Sequence, residues 1–220
     1  MKKNIMILGA AVLMLGACTN APEADKAATA DAQEVIIGSG DAFGIDLQAS
    51  TVGFIGTKPV GQHNGQFLLN EGNVTVNEGK LTGGSFVINV NSLKITDKDT
   101  NGAAMLTGHL LSPDFFDAAK YGTARFEITA LELYDSTKQK SLLAGATHLI
   151  SGNLLLKDST KNITFPAKVT ISENTVNAEA DFNIDRTQWG MFYGNDQSLG
   201  DKFIRPEVNI KLNISAKKAA

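Results

Sequence analysis

The sequence predicts an all-β fold, an antiparallel β-barrel of about eight strands with one short helical insert. Apolar and polar residues alternate over long stretches, and turn sequences join neighbouring stretches as hairpins. Only one segment of note has a helical character. Long strands that keep an unbroken apolar face favour a closed barrel over a β-sandwich, which is the alternative fold.

Residues 1–17 have the features of a bacterial export signal. Two lysines precede an apolar run over residues 5–15, which is too short to span a bilayer permanently. The sequence Leu15-Gly16-Ala17-Cys18 resembles the lipobox of bacterial lipoproteins, in which the cysteine is acylated and becomes the first mature residue. Cys18 is the only cysteine in the chain, so core burial rather than disulfides must hold the fold. We therefore expect a lipoprotein signal peptide at residues 1–17 and lipid attachment at Cys18.

Residues 18–40 are predicted to form a flexible tether. Their composition is dominated by Ala, Asp, Glu, Thr and Gly, with few apolar residues, and such a segment cannot offset the entropy lost on ordering. The barrel domain is then expected at residues 41–216, held away from the membrane by the tether.

The clearest strands lie near the C-terminus. Residues 162–172, 175–185 and 203–215 alternate between one apolar and one polar face, as antiparallel sheets with one solvated side allow. Turn signals at Glu173-Asn174 and at residues 158–161 join neighbouring strands as hairpins. Weaker alternation marks residues 51–57, 67–77, 82–90, 125–133 and 147–157.

Small residues occur on the apolar faces of these strands: Ala167, Ala178, Ala180, Gly53 and Gly152. Small inward side chains leave space in a barrel. A barrel of this strand number can be filled by its own side chains or can hold one small ligand, and the residue pattern alone leaves both alternatives open.

The helical insert is expected near residues 108–121. Ser112, Pro113 and Asp114 together are typical of a helix N-terminus. Phe115 and Phe116 follow, and a short helix cannot bury two phenylalanines alone. We therefore expect them to plug the space that the strands enclose.

No metal site is predicted. Residues 97–102 match the first half of an EF-hand loop, but Gly108 stands where the bidentate glutamate should be. Asp99 or Thr100 is instead expected to cap a helix over residues 101–110. The three histidines of the chain, His63, His109 and His148, lie in separate elements without a second ligand at a suitable spacing. A site formed by all three is the less favoured alternative.

Several function classes are disfavoured by what the sequence lacks. It contains no G-x-S-x-G, H-E-x-x-H, C-x-x-C or P-loop motif, so we do not expect an enzyme. The net charge is −3 without a cluster of Lys or Arg, so we do not expect nucleic acid as a partner.

The run G-H-L-L-S-P-D-F-F-D-A-A-K-Y at residues 108–121, followed by Ala124-Arg125-Phe126, resembles the central signature of the YceI-like family of bacterial secreted lipid-binding proteins. Further matches lie at residues 61–67, 152–156, 185–191 and 199–201, and the likeness extends over residues 41–215. Two departures stand out: Lys157-Asp158 replaces a usual His-Gly, and Gly122 replaces a common proline. The resemblance implies a lipocalin-like barrel that holds an isoprenoid lipid, either a polyprenyl compound or a quinone.

The candidate ligand-binding residues are aromatic, basic or small side chains expected in the barrel lumen or at one end of it. They are Phe54, His63, Phe67, His109, Phe115, Phe116, Phe126, Ala178, Ala180, Phe182, Arg186, Trp189 and Phe192. The aromatic rings would line an apolar throat, and His63, His109 and Arg186 would contact a polar head group. The alternative is ordinary core packing, with Arg186 paired to Asp181, Asp185 or Asp201.

The expected function is storage or transport of the lipid in the cell envelope. The acylated Cys18 would tether the protein to a membrane. Asn20 is not the aspartate of the usual inner-membrane retention signal, so the outer membrane, facing the periplasm, is expected. A homodimer is left open. A filled barrel that serves as an envelope scaffold, and an enzyme acting on a lipid head group, are the alternatives from other classes.

Overall fold

The computed structural model describes residues 20–218, so the expected signal peptide and the acylation of Cys18 lie outside the described residues. The strands are β1 (Asp25–Lys26), β2 (Ala28–Asp31), β3 (Asp41–Ile45), β4 (Thr51–Thr57), β5 (Gln62–Asn77), β6 (Lys80–Ile95), β7 (Thr123–Leu133), β8 (His148–Leu156), β9 (Ser159–Ile171), β10 (Thr175–Asp185) and β11 (Glu207–Lys218). The helix α1 (Ala103–Leu111) lies between β6 and β7, and two 3-10 helices, Arg186–Trp189 and Gln197–Lys202, lie between β10 and β11. No helix in the described range is long and apolar enough to cross a membrane.

Strands β4 to β11 form a closed antiparallel barrel of eight strands. Each pairs with the next in chain order, and β11 pairs back with β4 to close the sheet. Strand β3 continues the position of β4, since both pair with β5 and β11. The predicted fold class is confirmed.

One end of the barrel carries most of the long connections. Strands β4, β6 and β10 end there, and β5, β7 and β11 begin there. We call this end the mouth. Helix α1 and the segment at residues 186–206 both lie at the mouth, because they connect strands there.

The sequence periodicity locates most barrel strands. Strand β10 has the predicted bounds, and β9 begins three residues earlier than expected, at Ser159. Strand β11 begins at Glu207 rather than residue 203, because Pro206 has no N–H for a ladder. The residue pattern missed β3, whose apolar signal rests mainly on the buried Phe43.

The helix predicted over residues 101–110 corresponds to α1, but the helix start predicted at Ser112 is wrong. Ser112 ends α1 instead of starting a helix: its N–H and its Oγ both donate to the carbonyl of His109, at 3.1 and 2.7 Å. The next residues form turns, in which the N–H of Asp117 donates to the carbonyl of Ser112. Ser, Pro and Asp favour turns as well as helix starts, so the same signal fits either structure.

The start of α1 also differs from the prediction. Gly102 is the N-cap residue, with φ of +78°, and no side chain caps the helix. The Asp99 carboxylate accepts a hydrogen bond from the N–H of Asn101, outside the helix. Gly102 takes the left-handed conformation at no steric cost, which lets the chain turn into α1.

The expected flexible tether is wrong for residues 20–40, because this segment packs against the barrel and pairs with two of its strands. Strand β1 pairs in parallel with β10, and β2 pairs antiparallel with β9. Between them, Ala27 is buried in the main core cluster. We call residues 22–40 the strap.

Asparagines on the outer barrel face hold the strap. Asn183 donates to the carbonyl of Pro22 at 3.0 Å, and Asn153 exchanges two hydrogen bonds with the backbone of Gln33 at 2.7 and 3.0 Å. Both asparagines are buried, although they alternate with inward apolar residues and so point outwards. Order in the strap therefore comes from partners on distant strands, which its own composition does not reveal.

The strap fills a gap in the barrel wall. Strands β9 and β10 pair directly only between residues 168–171 and 176–179. The carbonyl of Ala167 accepts a hydrogen bond from the N–H of Thr147, on the side of β9 that faces β8. Because backbone groups alternate between the two sides of a strand, those of the adjacent Pro166 face β10. Proline has no N–H, so it cannot donate a hydrogen bond to β10. The two strands diverge from this point, and β1 and β2 enter between them.

Candidate ligand-binding cavity

The barrel encloses a cavity of about 510 Å³. This volume lies within the range of roughly 300–1,000 Å³ that is common for small-molecule sites. Inward aliphatic and aromatic side chains from all eight barrel strands line it, together with side chains from α1. The barrel is therefore hollow rather than filled by its own side chains, two alternatives between which the residue pattern could not choose.

Alanines on neighbouring strands create part of this space. Ala167 on β9 and Ala178 and Ala180 on β10 line the cavity, as the alternation predicted. Gly53 does not contribute, because it pairs with the outward-facing Lys211. Gly152 faces inward, but a methyl group there would lie 2.2 Å from the Phe126 ring, which occupies that space.

All but two of the candidate ligand-binding residues line the cavity. Those that do are Phe54, His63, Phe67, His109, Phe115, Phe116, Phe126, Ala178, Ala180, Phe182 and Arg186. Trp189 does not line the cavity: it is fully buried in the main core cluster, where its indole N–H donates to the carbonyl of Leu154 at 3.0 Å. Phe192 points away from the barrel because the preceding Met191 takes the inward position.

The two phenylalanines after α1 close the mouth from within, as expected, although they do so from a turn. The Phe116 ring packs edge-on against Phe67, with centroids 5.3 Å apart, and Phe67 lies 5.6 Å from Phe54. Phe115 is buried and contacts the His109 ring at 5.1 Å. These rings form an apolar throat below the opening.

Helix α1 contributes two lining residues that were not among the candidates, Leu106 and Leu110. Their spacing of four residues is the signal of an apolar helix face. His109 shares this face, and its ring lies 4.6 Å from Tyr193 in the segment that follows β10. Residues from two distant segments therefore meet over the throat.

Arg186 holds the mouth segment together. It is 4% exposed, and its guanidinium donates to the carbonyls of Met191, Tyr193, Ile204 and Arg205. Burial lowers the pKa of Arg186, yet a guanidinium stays protonated in proteins. The alternative pairing of Arg186 with Asp185 is not found, because the Asp185 carboxylate accepts from Thr187.

Polar side chains that line the cavity gather at the mouth. They are Thr57, Lys58, His63, His109, Arg186, Tyr193, Asp201 and Lys202, with Glu179 the exception. The interior beneath them is apolar, and apolar cavities do not hold ordered water. The site is therefore amphipathic along its length, apolar inside and polar at the opening.

Each of the two mouth histidines has a carboxylate partner. His63 Nδ1 lies 2.7 Å from Asp97, which also accepts from the N–H of Asn64 at 2.6 Å. Burial opposes ionisation of Asp97, but the hydrogen bonds from Asn64 and His63 outweigh it and hold the pKa of this carboxyl below its usual value. His109 Nε2 lies 3.1 Å from Asp114.

A metal centre finds no support between residues 20 and 218, where no three His, Cys, Asp or Glu side chains come together. Within residues 97–102, which resemble part of an EF-hand loop, the Asp97 carboxylate is hydrogen-bonded to the side chains of His63 and Asn64. His148 lies at the far end of β8, hydrogen-bonded to Thr147, and burial lowers its pKa.

A profile of the YceI-like domain matches residues 43–216. Among solved structures, BcnA of Burkholderia cenocepacia superposes with a TM-score of 0.60 at 21% identity, covering 78% of this chain and 99% of that one. A polyisoprenoid-binding domain from Saccharophagus degradans, implicated in plant cell wall breakdown, gives 0.60 at 18% identity, covering 81% and 99%. A YceI protein of Campylobacter jejuni gives 0.51 at 16%, covering 71% and 85%.

No curated protein sequence matches the chain significantly. The solved structures share too little sequence to show more than a common barrel, whereas the domain profile covers most of the chain. The protein belongs to the YceI-like family, a family of binding proteins.

Proposed function

We propose that this protein binds one isoprenoid lipid, a polyprenyl compound or an isoprenoid quinone, and stores or carries it in the cell envelope without catalysis. The observation that carries the proposal is the amphipathic cavity, about 510 Å³ in volume, lined by apolar side chains in its interior except at Glu179 and polar at one end. This form suits a ligand with a long apolar chain and one polar head. The description of the S. degradans domain as polyisoprenoid-binding supports the same ligand class.

The energetics of an isoprenoid chain explain why it needs an enclosed site. Each buried CH₂ group is worth about 0.8 kcal/mol, and an isoprene unit carries five carbons, so several units are very costly to expose to water. A membrane solvates the chain as well as the cavity does. Net affinity relative to the membrane therefore depends on the fit in the cavity and on contacts with the head group.

The head group is proposed to lie between His63 and His109. Both side chains line the cavity at its mouth, and each has a carboxylate at one ring nitrogen. The second ring nitrogen of either histidine can donate to or accept from a hydroxyl, carbonyl or phosphate group. Arg186 has less to offer this contact, because the chain's own carbonyls take four of the five N–H groups of its guanidinium.

Binding can be followed through the single tryptophan. Trp189 is buried and donates to the carbonyl of Leu154, whose side chain lines the cavity. Titrating delipidated protein with a short-chain ubiquinone should quench this tryptophan saturably, and a polyprenol should relieve the quenching by competition. Phosphatidylcholine at the same concentration is the control. An absence of saturable quenching, together with no effect of the polyprenol, would contradict isoprenoid binding.

We further propose that Cys18 is acylated and anchors the protein in the envelope, most simply in the outer membrane facing the periplasm. A Cys18→Ala variant should remain uncleaved or lose its lipid, because the acylated thiol is absent. Partition between detergent and water, combined with the mass of the mature protein, measures this directly. A wild-type protein that partitions entirely into water would contradict the lipoprotein assignment.

A further inference from the structure

Large apolar side chains are exposed around the mouth. Met105 is 82% exposed, Val60 64%, Phe192 62% and Leu199 45%. They come from four separate segments: α1, the β4–β5 turn, the loop after Trp189, and the 3-10 helix at residues 197–202. We call these four residues the mouth ring.

The four segments meet at one opening. Each residue of the mouth ring lies within two positions of a residue that lines the cavity: Leu106, Lys58, Tyr193 and Asp201. Contacts tie the segments together, because the His109 ring lies 4.6 Å from Tyr193 and the N–H of Arg205 donates to Thr57 at 3.0 Å. A single exposed apolar residue is ordinary on a protein surface, but a group of them around an opening is typical of an interaction site.

The strap holds the N-terminal part of the chain against β10, whose C-terminal end lies at the mouth. Asn183 holds the carbonyl of Pro22, and Asn183 lies only three residues before Arg186 at the mouth. Cys18 is four residues before Pro22, a reach of about 14 Å for an extended chain. An acylated Cys18 would therefore hold the barrel close to the bilayer with the mouth within reach of it, since the strap is bound to the barrel and cannot act as a long tether.

Charges around the mouth are mixed in sign. Lys58 and Lys202 line the opening together with Asp201, and Asp114 is paired with His109. A surface that bound membranes by electrostatic attraction would carry a basic cluster. Here the apolar side chains must supply the contact, so the surface should bind zwitterionic lipid as well as anionic lipid.

We propose that the mouth ring docks on a lipid bilayer, with Phe192 and Met105 inserted among the acyl chains and the cavity opening directly onto the membrane. The inference rests on the proposed function, since a carried isoprenoid would enter and leave by this opening. Docking would let the chain pass between membrane and cavity without crossing water.

The test uses full-length protein bound to phosphatidylcholine vesicles with brominated acyl chains, which quench tryptophan only inside the bilayer. Phe192→Trp adds a reporter at the mouth ring, and Leu133→Trp adds one at a more exposed apolar site, 80% against 62% exposed, where β7 ends at the opposite end of the barrel. The buried Trp189 is a constant background. We expect strong quenching for Phe192→Trp and none for Leu133→Trp.

A second measurement follows uptake of ubiquinone from donor vesicles, reported by Trp189. Phe192→Asp and Met105→Asp should each slow uptake by about tenfold or more, because a carboxylate is strongly disfavoured among acyl chains, while Leu133→Asp should leave the rate unchanged. Equal quenching at both reporter sites, or unchanged uptake in both mouth variants, would overturn the proposal. The proposal would also be overturned if a second copy of the protein covered the mouth ring. This would be observed as a dimer that dissociates in the Phe192→Asp variant.

The outcomes separate docking from lipid binding. Lipid recovered from the purified protein without quenching at position 192 would refute docking and leave the carrier function intact. Quenching at position 192 in a protein that yields no lipid would refute the carrier function and leave docking intact.

Discussion

Arg186→Met should lower the free energy of unfolding by about 3–5 kcal/mol, because it removes several hydrogen bonds from a buried charged donor, each worth about 1.5–3 kcal/mol. The substitution keeps an apolar stem but removes the hydrogen bonds that the guanidinium donates to the carbonyls of Met191, Tyr193, Ile204 and Arg205. Losing a hydrogen bond inside the protein costs the desolvation of the group left behind. At about 2–4 °C per kcal/mol for a domain of this size, the melting temperature should fall by roughly 10 °C.

Two controls locate the effect. Arg186→Lys should recover only part of the loss, because an ammonium group cannot span four carbonyls as the planar guanidinium does. Arg125→Met makes the same change at an exposed arginine whose partner, Glu127, lies 3.4 Å away, and should cost well under about 1 kcal/mol. Similar melting temperatures for Arg186→Met and Arg125→Met would contradict the role given to Arg186.

Ala180→Trp should abolish lipid binding while leaving the fold nearly as stable as before. The side chain of Ala180 points into the cavity from β10, so a large ring there has space and competes with the ligand for it. A densely packed core would instead lose about 1–3 kcal/mol or more from the same substitution. Thermal melting and the lipid content of the purified variant measure the two effects together.

Ala118→Trp is the matched control. Ala118 is as buried as Ala180, but it packs in a separate cluster with Phe67 and Val90 and does not line the cavity. Its replacement should destabilise the protein without reducing the space available to the ligand. A stable Ala118→Trp protein and an unstable Ala180→Trp protein would place the open space elsewhere and contradict the assigned cavity.

Periodicity predicted the barrel well because each long strand has one face in the core and one in water. Residues 175–185 show this most clearly, and their inward set includes both lining alanines, Ala178 and Ala180. The resemblance to the YceI-like family supplied the ligand class, which alternation alone cannot provide. It also identified His109, Phe115 and Phe116 as residues that meet at one end of the barrel.

Features that depend on long-range partners could not be predicted. The strap is ordered by Asn153 and Asn183, which lie more than a hundred residues away in sequence from Gln33 and Pro22. Between β10 and β11 the chain has no regular period, so nothing in the sequence indicates that Trp189 is buried and Phe192 exposed. The partners of Arg186 are backbone carbonyls, and no residue type marks these in advance.

The most direct test of lipid binding in the barrel is organic extraction of the purified protein, followed by mass spectrometry of wild type and Ala180→Trp side by side. We expect an isoprenoid or quinone mass from the wild type, and its loss or replacement by a shorter chain in the variant. A phospholipid would indicate a less selective barrel. A folded wild-type protein that yields no lipid, or the same lipid retained in full by Ala180→Trp, would contradict the central claim.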